Sequence, residues 1–493
     1  MLSEAEIKQF IDDDKMSEKK KLAKVGLRYY EGEHDILDYR MFYYNADGIL
    51  TEDKARSNSR ICHPFFTELV DQLAAYMLSF EENPIRAKEH TEGLQDYLDV
   101  YFDDEFWAEI QEVITGANAK GFEYLYAYKN AEDRLAFECA DSMGVVEVRA
   151  KDTDDGCEYM IYWYIDRIDK GKKQIKRIQV HDPQQIHYFM QVDNGDIVPD
   201  DNEPINPRPH VVYEDKKGKM TGTGLGFIPF WRLDNCRKQF SGLKPIKGLI
   251  DDYDLMECGL SNNLQDFDTP IHLVKGFNGD NLDELQQNIK TKKVLGVDAD
   301  GGLEVLTVDI PYQARKTKAD EDEKNIYRFG MGFNSAQMGD GNITNVVIRS
   351  RYTLLELKAG KLEKRLKRFL KDIIRVVLDE INAVNKTDYQ PNDVEIKFEH
   401  IIPTNEQENA QNAYTDAQTE QMKVNTVLNV AANVGDEQTL KAICEIMEWD
   451  FDELQSAVEA QNEETNLVNA QTTLNEVVTD EQTAETGSAA ISE

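Results

Sequence analysis

The chain has 493 residues, enough for two to four domains with sizeable cores. Its formal charge of -37, from 93 Asp and Glu against 56 Lys and Arg, works against gripping phosphate backbones or anionic lipid. That charge does not exclude a protein that surrounds DNA without holding it.

No run of about 18 apolar residues exists, and the N-terminus lacks the basic and apolar regions of a signal peptide, so no membrane association is expected. The six cysteines are scattered with no CxxC pair, which fits a reducing compartment and gives no sign of a zinc site.

Taken in order, Ser3-Glu4-Ala5-Glu6 reads as a capping box opening a short helix through Ile7, Phe10 and Ile11. A second helix is expected from Ser17 to about Tyr30, with Gly32 as its breaker, and residues 35–60 read as irregular. A third starts near Pro64, with Phe65, Leu69, Leu73, Tyr76 and Met77 on one face. Leu94–Val100 and Phe106–Ala119 give two more.

From Phe122 to about residue 232 the period changes to two. Tyr124, Tyr126 and Tyr128, then Met160, Tyr162 and Tyr164, alternate with the other face and predict an antiparallel β region, with Asn194-Gly195 as a hairpin turn. Leu243–Phe267 returns to helix, its stripe formed by Leu249, Tyr253, Met256, Leu260 and Leu264. Residues 271–310 read as a small α/β insert between that helix and another, Tyr312–Phe333. The simplest geometry holds the insert at the end of an antiparallel helix pair.

The longest element runs from Ile343 to Val384, about 60 Å at 1.5 Å per residue. Ile348, Leu355, Leu362, Phe369 and Val376 recur every seven residues, and Tyr352, Ala359, Leu366 and Ile373 fill the slots between. Asn342 or Thr344 can cap its start. It is expected to face Tyr312–Phe333 across a polar, glycine-punctuated loop. Beyond it come a short strand at Val394–Phe398, an amide-rich helix at Asn405–Val434, and helices at Asp436–Glu448 and Phe451–Val458. No Lys or Arg follows Lys441, while thirteen Asp and Glu do, and residues 476–493 lack core-forming side chains and are expected to be disordered. The fold class is α+β, mainly helical.

Motifs for catalysis are weak. Gly222-Thr223-Gly224-Leu225-Gly226 precedes a strand rather than a helix, so it reads as a hairpin or bulge and not a phosphate loop. No GxxxxGK[ST] occurs. Asp298–Gly302 resembles only a fragment of a calcium loop, with Asp309 where glutamate belongs. His63 and His187 read as packing residues, and the run Asp320–Glu323 as a solvated helix face. No catalytic residues, cofactor or metal are assigned.

Five segments together resemble the portal (connector) proteins of tailed double-stranded DNA phages. They are Tyr29–Ile36; Asn58–Phe66 running into Val70-Asp71-Gln72; Ile250–Met256 with Ser261–Asp266; Asp340–Val346; and Tyr352–Lys358. The resemblance covers about residues 20–400.

It implies a virion protein at one capsid vertex, assembled in the host cytoplasm. There it would form a ring of identical subunits, usually a dodecamer, that passes double-stranded DNA without sequence specificity. The implied layout is a wing at 1–240, stem helices at 241–267 and 311–333, and a clip at 268–310. A tunnel loop would occupy 334–345, a long wing helix and short strand 346–402, and a crown 403–475. The implied partners are the terminase large subunit, a head–tail adaptor, and the major capsid and scaffolding proteins.

On this reading the channel is lined by Asn334, Ser335, Gln337, Gly339, Asp340, Gly341, Asn342, Thr344 and Asn345. Asn278, Lys290, Lys292 and Lys293 dock the motor and adaptor, and Ile348, Tyr352, Leu355, Leu362, Leu366 and Phe369 pack the ring. Two other classes stay open: a coiled-coil adaptor built on the long helix, and an enzyme with an acidic cleft.

Overall fold

The computed structural model describes all residues except 55, 90, 92, 131, 150–155, 169–172, 215–219, 268–270, 276–301, 307–310, 335–344, 402–405, 448, 452–453 and 457–493. The chain divides into two compact units, Met1–Gly341 with Arg349–Ile402, and Asn342–Ile348 with Pro403–Glu493.

Local signals set the first elements. Ser3 caps α1 (Glu4–Met16), its hydroxyl accepting from the Glu6 amide at 3.4 Å while the Glu6 carboxylate accepts from the Ser3 N–H at 2.8 Å. Ser17 ends α1 and caps α2 (Glu18–Tyr30), and Gly32 then takes φ 77°, a backbone region glycine enters freely. Residues 35–60 are not wholly irregular. They contain a 3-10 turn (Asp35–Asp38) and a hairpin of β1 (Phe42–Tyr44) and β2 (Leu50–Glu52). The Asn45 side chain makes that turn by accepting from the amides of Asp47 and Ile49, which leaves no apolar period to read.

α3 (Phe65–Met77), strand β3 (Ile85–Ala87), α4 (Leu94–Tyr101) and α5 (Asp104–Lys120) follow. The short β3 has no sequence signal of its own; it forms because Val394–Ile396, some 300 residues on, pairs with it antiparallel.

The region from Phe122 is antiparallel, as its period implies, but it is not one sheet. Its strands are β4 (Phe122–Lys129), β5 (Leu135–Ala140), β6 (Val145–Arg149), β7 (Cys157–Ile168), β8 (Gln174–His181), β9 (Gln185–Val192), β10 (Ile197–Pro199), β11 (Arg208–Pro209), β12 (Val211–Glu214), β13 (Met220–Thr223) and β14 (Phe230–Asp234). They form a three-stranded sheet in the order β14-β4-β5, a sheet β10-β9-β8-β7-β6 with β11 added beside β9, and a β12–β13 hairpin. β4 is buried on both faces, with α5 on one side and residues of the larger sheet (Val145, Met160) on the other. Glu147 of β6 ties the sheets together, accepting from the Tyr124 hydroxyl at 2.9 Å and pairing with Arg232. Burial opposes its ionisation, but the Arg232 guanidinium prevails and holds its carboxyl at about 2. Gly222 lies in β13, so the glycine-rich stretch is a hairpin arm.

α6 (Lys247–Phe267) starts four residues later than its apolar pattern implies, because i→i+3 bonds close a turn through Ser241, Leu243 and Ile246 first. β15 (Ile271–Lys275) pairs antiparallel with β16 (Gly302–Leu306). Residues 276–301 of the expected α/β insert, including all of Asp298–Gly302 but Gly302, lie outside the described residues. α7 (Tyr312–Gly330) packs against α6 and α3, with Lys318 bonded to Asp252 at 2.6 Å. The run Asp320–Glu323 is therefore not a wholly solvated face: Asp322 is buried and paired with the same lysine.

α8 (Asn345–Asn385) is continuous over 41 residues. β17 (Val394–Ile396) completes the pair with β3. In the second unit α9 (Glu406–Val434) packs on α10 (Asp436–Met447). The expected helix at 451–458 and the acidic tail lie largely outside the described residues.

The seven-residue stripe of α8 requires a correction. Leu355, Ala359, Leu362, Leu366 and Phe369 are each 5 % exposed or less, inside one cluster with Leu73, Leu98, Ile110 and Leu125 of the same chain. Leu355, Leu362, Leu366 and Phe369 are thus spent within the subunit and are not free to pack a ring, and the coiled-coil adaptor fails for the same reason. Tyr352 is half-buried against Phe333, with ring centroids 4.7 Å apart. Ile348, the first of the stripe, is half-buried in the second unit.

Replacing Leu366 with Ala should cost about 2–5 kcal/mol, read as a lowered urea midpoint at unchanged slope. Leu357→Ala, at a position 54 % exposed, should change stability by less than about 0.5 kcal/mol. Equal effects would show that the stripe is not the internal core.

A strapped helix and the root of the candidate channel loop

Three of the five segments that carry the resemblance meet on one helix, α6. The backbone at residues 57–63 has no regular structure, yet it runs beside α6 with every second amide captured by a side chain one helical turn further along. Ser57 N donates to Asp266 Oδ1 (3.1 Å), Ser59 N to Asn262 Oδ1 (2.6 Å), Ile61 N to Cys258 Sγ (3.2 Å) and His63 N to Asp254 Oδ1 (2.9 Å). The match is geometric. Two residues of extended chain advance about 6.6 Å, and four residues of helix about 6 Å. An extended strap can therefore stay in register with a stripe spaced by fours for several steps.

Asp254 anchors the upper end and is fully buried. Its second oxygen lies 2.6 Å from His34 Nδ1, and its first also meets His63 Nδ1 at 2.8 Å. Burial alone would raise this carboxyl, but the bonds from His34 and His63 hold it below its ordinary value of 3.8. His34 stacks on Tyr29 at 4.5 Å, and the Tyr29 hydroxyl reaches Asp251 one turn before Asp254. Lys247 bridges Asp35 (2.6 Å) and Asp251 (2.8 Å). The segment Tyr29–Ile36, the strap and the helix are thus one polar lattice.

The apolar stripe expected to seat α6 is only half-buried at Tyr253, Met256 and Leu260, and Leu264 is 52 % exposed. Ile250, Asp254, Cys258 and Asn262 are the buried ones. The spacing of four was legible, but a pattern search weighted on apolar residues passes over a polar stripe.

The root of the loop 334–345 is also built from several elements. Met331 ends α7 in the left-handed conformation, at φ 58°. Gly330 and Gly332 lie so close to Leu69 that an added Cβ would stand 2.5 and 2.3 Å from its side chain. Gln72 of α3 clamps the Phe333 backbone from both sides, accepting from its N–H at 3.2 Å and donating to its carbonyl at 2.8 Å. Lys358 of α8 donates to the Gly330 carbonyl at 3.1 Å, where the end of a helix favours a cation. Burial pushes its ammonium down to about 8.

Asn334 donates to Glu323 at 2.5 Å, and at the other root Asn345 donates to Asn409 at 2.9 Å. Ser335, Gln337, Gly339, Asp340, Gly341, Asn342 and Thr344 lie outside the described residues, as do Asn278, Lys290, Lys292 and Lys293. Gln72, Lys358, Asp254 and Asn262 lie within the segments that carry the resemblance, but nothing in their residue types or spacing points to these roles.

Among the described residues no group of three His, Cys, Asp or Glu could hold a metal, and no helix is long and apolar enough to cross a membrane.

Asp254→Ala would leave the buried His34, the half-buried His63 and a strap amide without their acceptor, at a cost of about 3 kcal/mol or more by thermal or urea unfolding. A carboxyl held low stabilises the fold above its unfolded value of 3.8, and that contribution is lost as pH falls through the lower folded value. The variant should therefore lose less stability than the wild type on acidification below about pH 4. An unchanged acid profile would remove Asp254 from this role.

Comparison with known proteins bears on the same elements. The family model described as phage portal protein, SPP1 Gp6-like, matches residues 9–465. The portal protein of Bacillus phage SPP1 is 24% identical over 367 residues, which cover 74% of this chain and 71% of that protein. The portal protein of Clostridium phage phiCD119 is 23% identical over 418 residues, covering 75% of this chain and 87% of that protein. The matched region takes in the strap, α6, α7, the loop and all of α8, and the chain belongs to the SPP1 Gp6-like family of phage portal proteins.

Proposed function

We propose that identical copies of this chain form a ring, with twelve subunits as the expected number, around a channel through which double-stranded DNA enters and leaves the capsid. The observation that supports this most directly is the membership in a portal family over residues 9–465. The strapped α6 with α7 would form the stem, 268–310 the clip, 334–345 the tunnel loop, residues 1–240 with α8 the wing, and residues from 403 the crown. The terminase large subunit during packaging and a head–tail adaptor afterwards would dock on the clip, through Asn278, Lys290, Lys292 and Lys293. Major capsid and scaffolding proteins would contact the outside of the ring.

Charge and chemistry are consistent with a sliding channel. A net charge of -37 leaves little to release counterions from DNA, so passage need not break strong contacts. The loop 334–345 carries amides and hydroxyls (Asn334, Ser335, Gln337, Asn342, Thr344, Asn345) and no Lys or Arg. Such groups hydrogen-bond phosphate without cationic anchoring. The root clamps at Gln72 and Lys358 would hold the α7 end of this loop while Gly339 and Gly341 let its tip shift.

Electron microscopy of the purified protein should show rings with a central hole, and native mass measurement a high oligomer. A stable monomer at micromolar concentration and moderate salt would reject the ring. Asn342→Lys should leave rings assembled but slow or stall packaging, because a ring of lysines would brake the DNA. Gln421→Lys on α9 should package normally. Equal packaging by both variants would place the loop elsewhere.

A further inference from the structure

Against the acidic whole, α8 carries ten Lys and Arg and five Asp and Glu between residues 343 and 384. Lys361, Lys364, Arg365 and Arg368 share one flank and line a groove of about 780 Å³, whose other wall is Trp231–Cys236 of β14 and the residues after it. None of these four cations has an ion-pair partner among the described residues. Elsewhere on the helix Lys367 pairs with Glu363 at 2.7 Å and Arg375 with Asp372 at 3.1 Å. Four unneutralised cations close together on a strongly acidic protein repel one another, and this is relieved when they meet an acidic surface.

The same unit carries such a surface. On α5, Glu105, Glu109 and Glu112 follow the spacing i, i+4, i+7, and Glu105 and Glu112 are exposed without an ion-pair partner among the described residues. Lys361, Arg365 and Arg368 follow the same spacing on α8, so each stripe is about 10 Å long. The two flank opposite edges of one sheet. The basic groove is walled by β14, and α5 is tied to β5 where the Cys139 amide donates to Glu109 at 2.7 Å. In the order β14-β4-β5 these are the two outer strands. A cyclic ring of identical subunits needs two different, mutually complementary patches on each copy.

We infer that the basic groove of one subunit receives the α5 carboxylate stripe of a second copy of this chain, forming a salt-sensitive, head-to-tail contact. This rests on the ring proposed above.

The test is a charge swap read by native mass measurement and electron microscopy across a salt series. Arg365→Glu with Arg368→Glu, and separately Glu105→Arg with Glu112→Arg, should each weaken ring association on the order of tenfold or more. The swap combining all four should recover rings. One-sided variants that form rings with wild-type salt resistance, or a combined swap no better than its parts, would overturn the contact.

Groove variants with wild-type rings that fail only in packaging would overturn it in favour of nucleic acid. A wild type without rings would reject the ring itself. If circular dichroism shows a variant unfolded, carbodiimide cross-linking of wild-type rings mixed from two isotope labels decides. Cross-links between Lys361 or Lys364 of one label and Glu105 or Glu112 of the other are expected. Their absence from assembled rings would overturn the inference.

Discussion

The structure depends on how α6 is held, and what holds it is a row of backbone amides. Residues 57–63 cannot satisfy their N–H groups within a helix or sheet, and α6 presents Asp254, Cys258, Asn262 and Asp266 at a spacing that meets them. The bonds from Ser59, Ile61 and His63 are part-buried, and each contributes about 0.5–1.5 kcal/mol, so the two elements specify each other. Apolar packing is non-directional and allows a helix to slide or roll by a fraction of a turn. A ladder of four directed bonds, closed at Asp254 by two imidazoles, fixes both its register and its rotation. For a helix proposed to form the stem of a ring this constraint matters more than added stability, because a roll by one residue would turn a different face to its neighbours.

Much of the fold was legible because its signals are local. The capping box at Ser3, the period of two from Phe122 and the heptads from Ile348 each need only a short window. What was not legible depends on distant partners. β3 exists because Val394–Ile396 returns to it, and the three-stranded sheet closes only when Phe230–Asp234 pairs with β4. The α8 heptads gave the helix and its buried face but not what covers that face. The same stripe would pack a neighbouring subunit or this subunit's own α3–α5, and periodicity is blind to that difference. α6 shows the reverse case. Tyr253, Met256, Leu260 and Leu264 read as its packing face, while Asp254 and Asn262, buried on the same helix as Ile250, read as surface residues by type.

Correcting the role of the α8 stripe moves the question of assembly to charge. With Leu362, Leu366 and Phe369 inside the subunit, α8 offers outward a cationic flank, set in a protein of formal net charge -37. Contacts of that kind add more to specificity and approach than to raw affinity. They also reject a reversed orientation, since groove against groove or stripe against stripe would place like charges together. A subunit that buries its α8 stripe in its own core, and whose proposed contact is polar, would meet its neighbours as a folded body.

Hydrogen exchange at residues 57–63 tests the central constraint most directly. This segment has no regular secondary structure, so an ordinary loop there would exchange its amides within seconds. The strap predicts that the amides of Ser57, Ser59, Ile61 and His63 are protected to a degree comparable with α6, and that Asp254→Ala releases them together. Fast exchange of these amides in the wild-type protein, while α6 stays protected, would contradict the account.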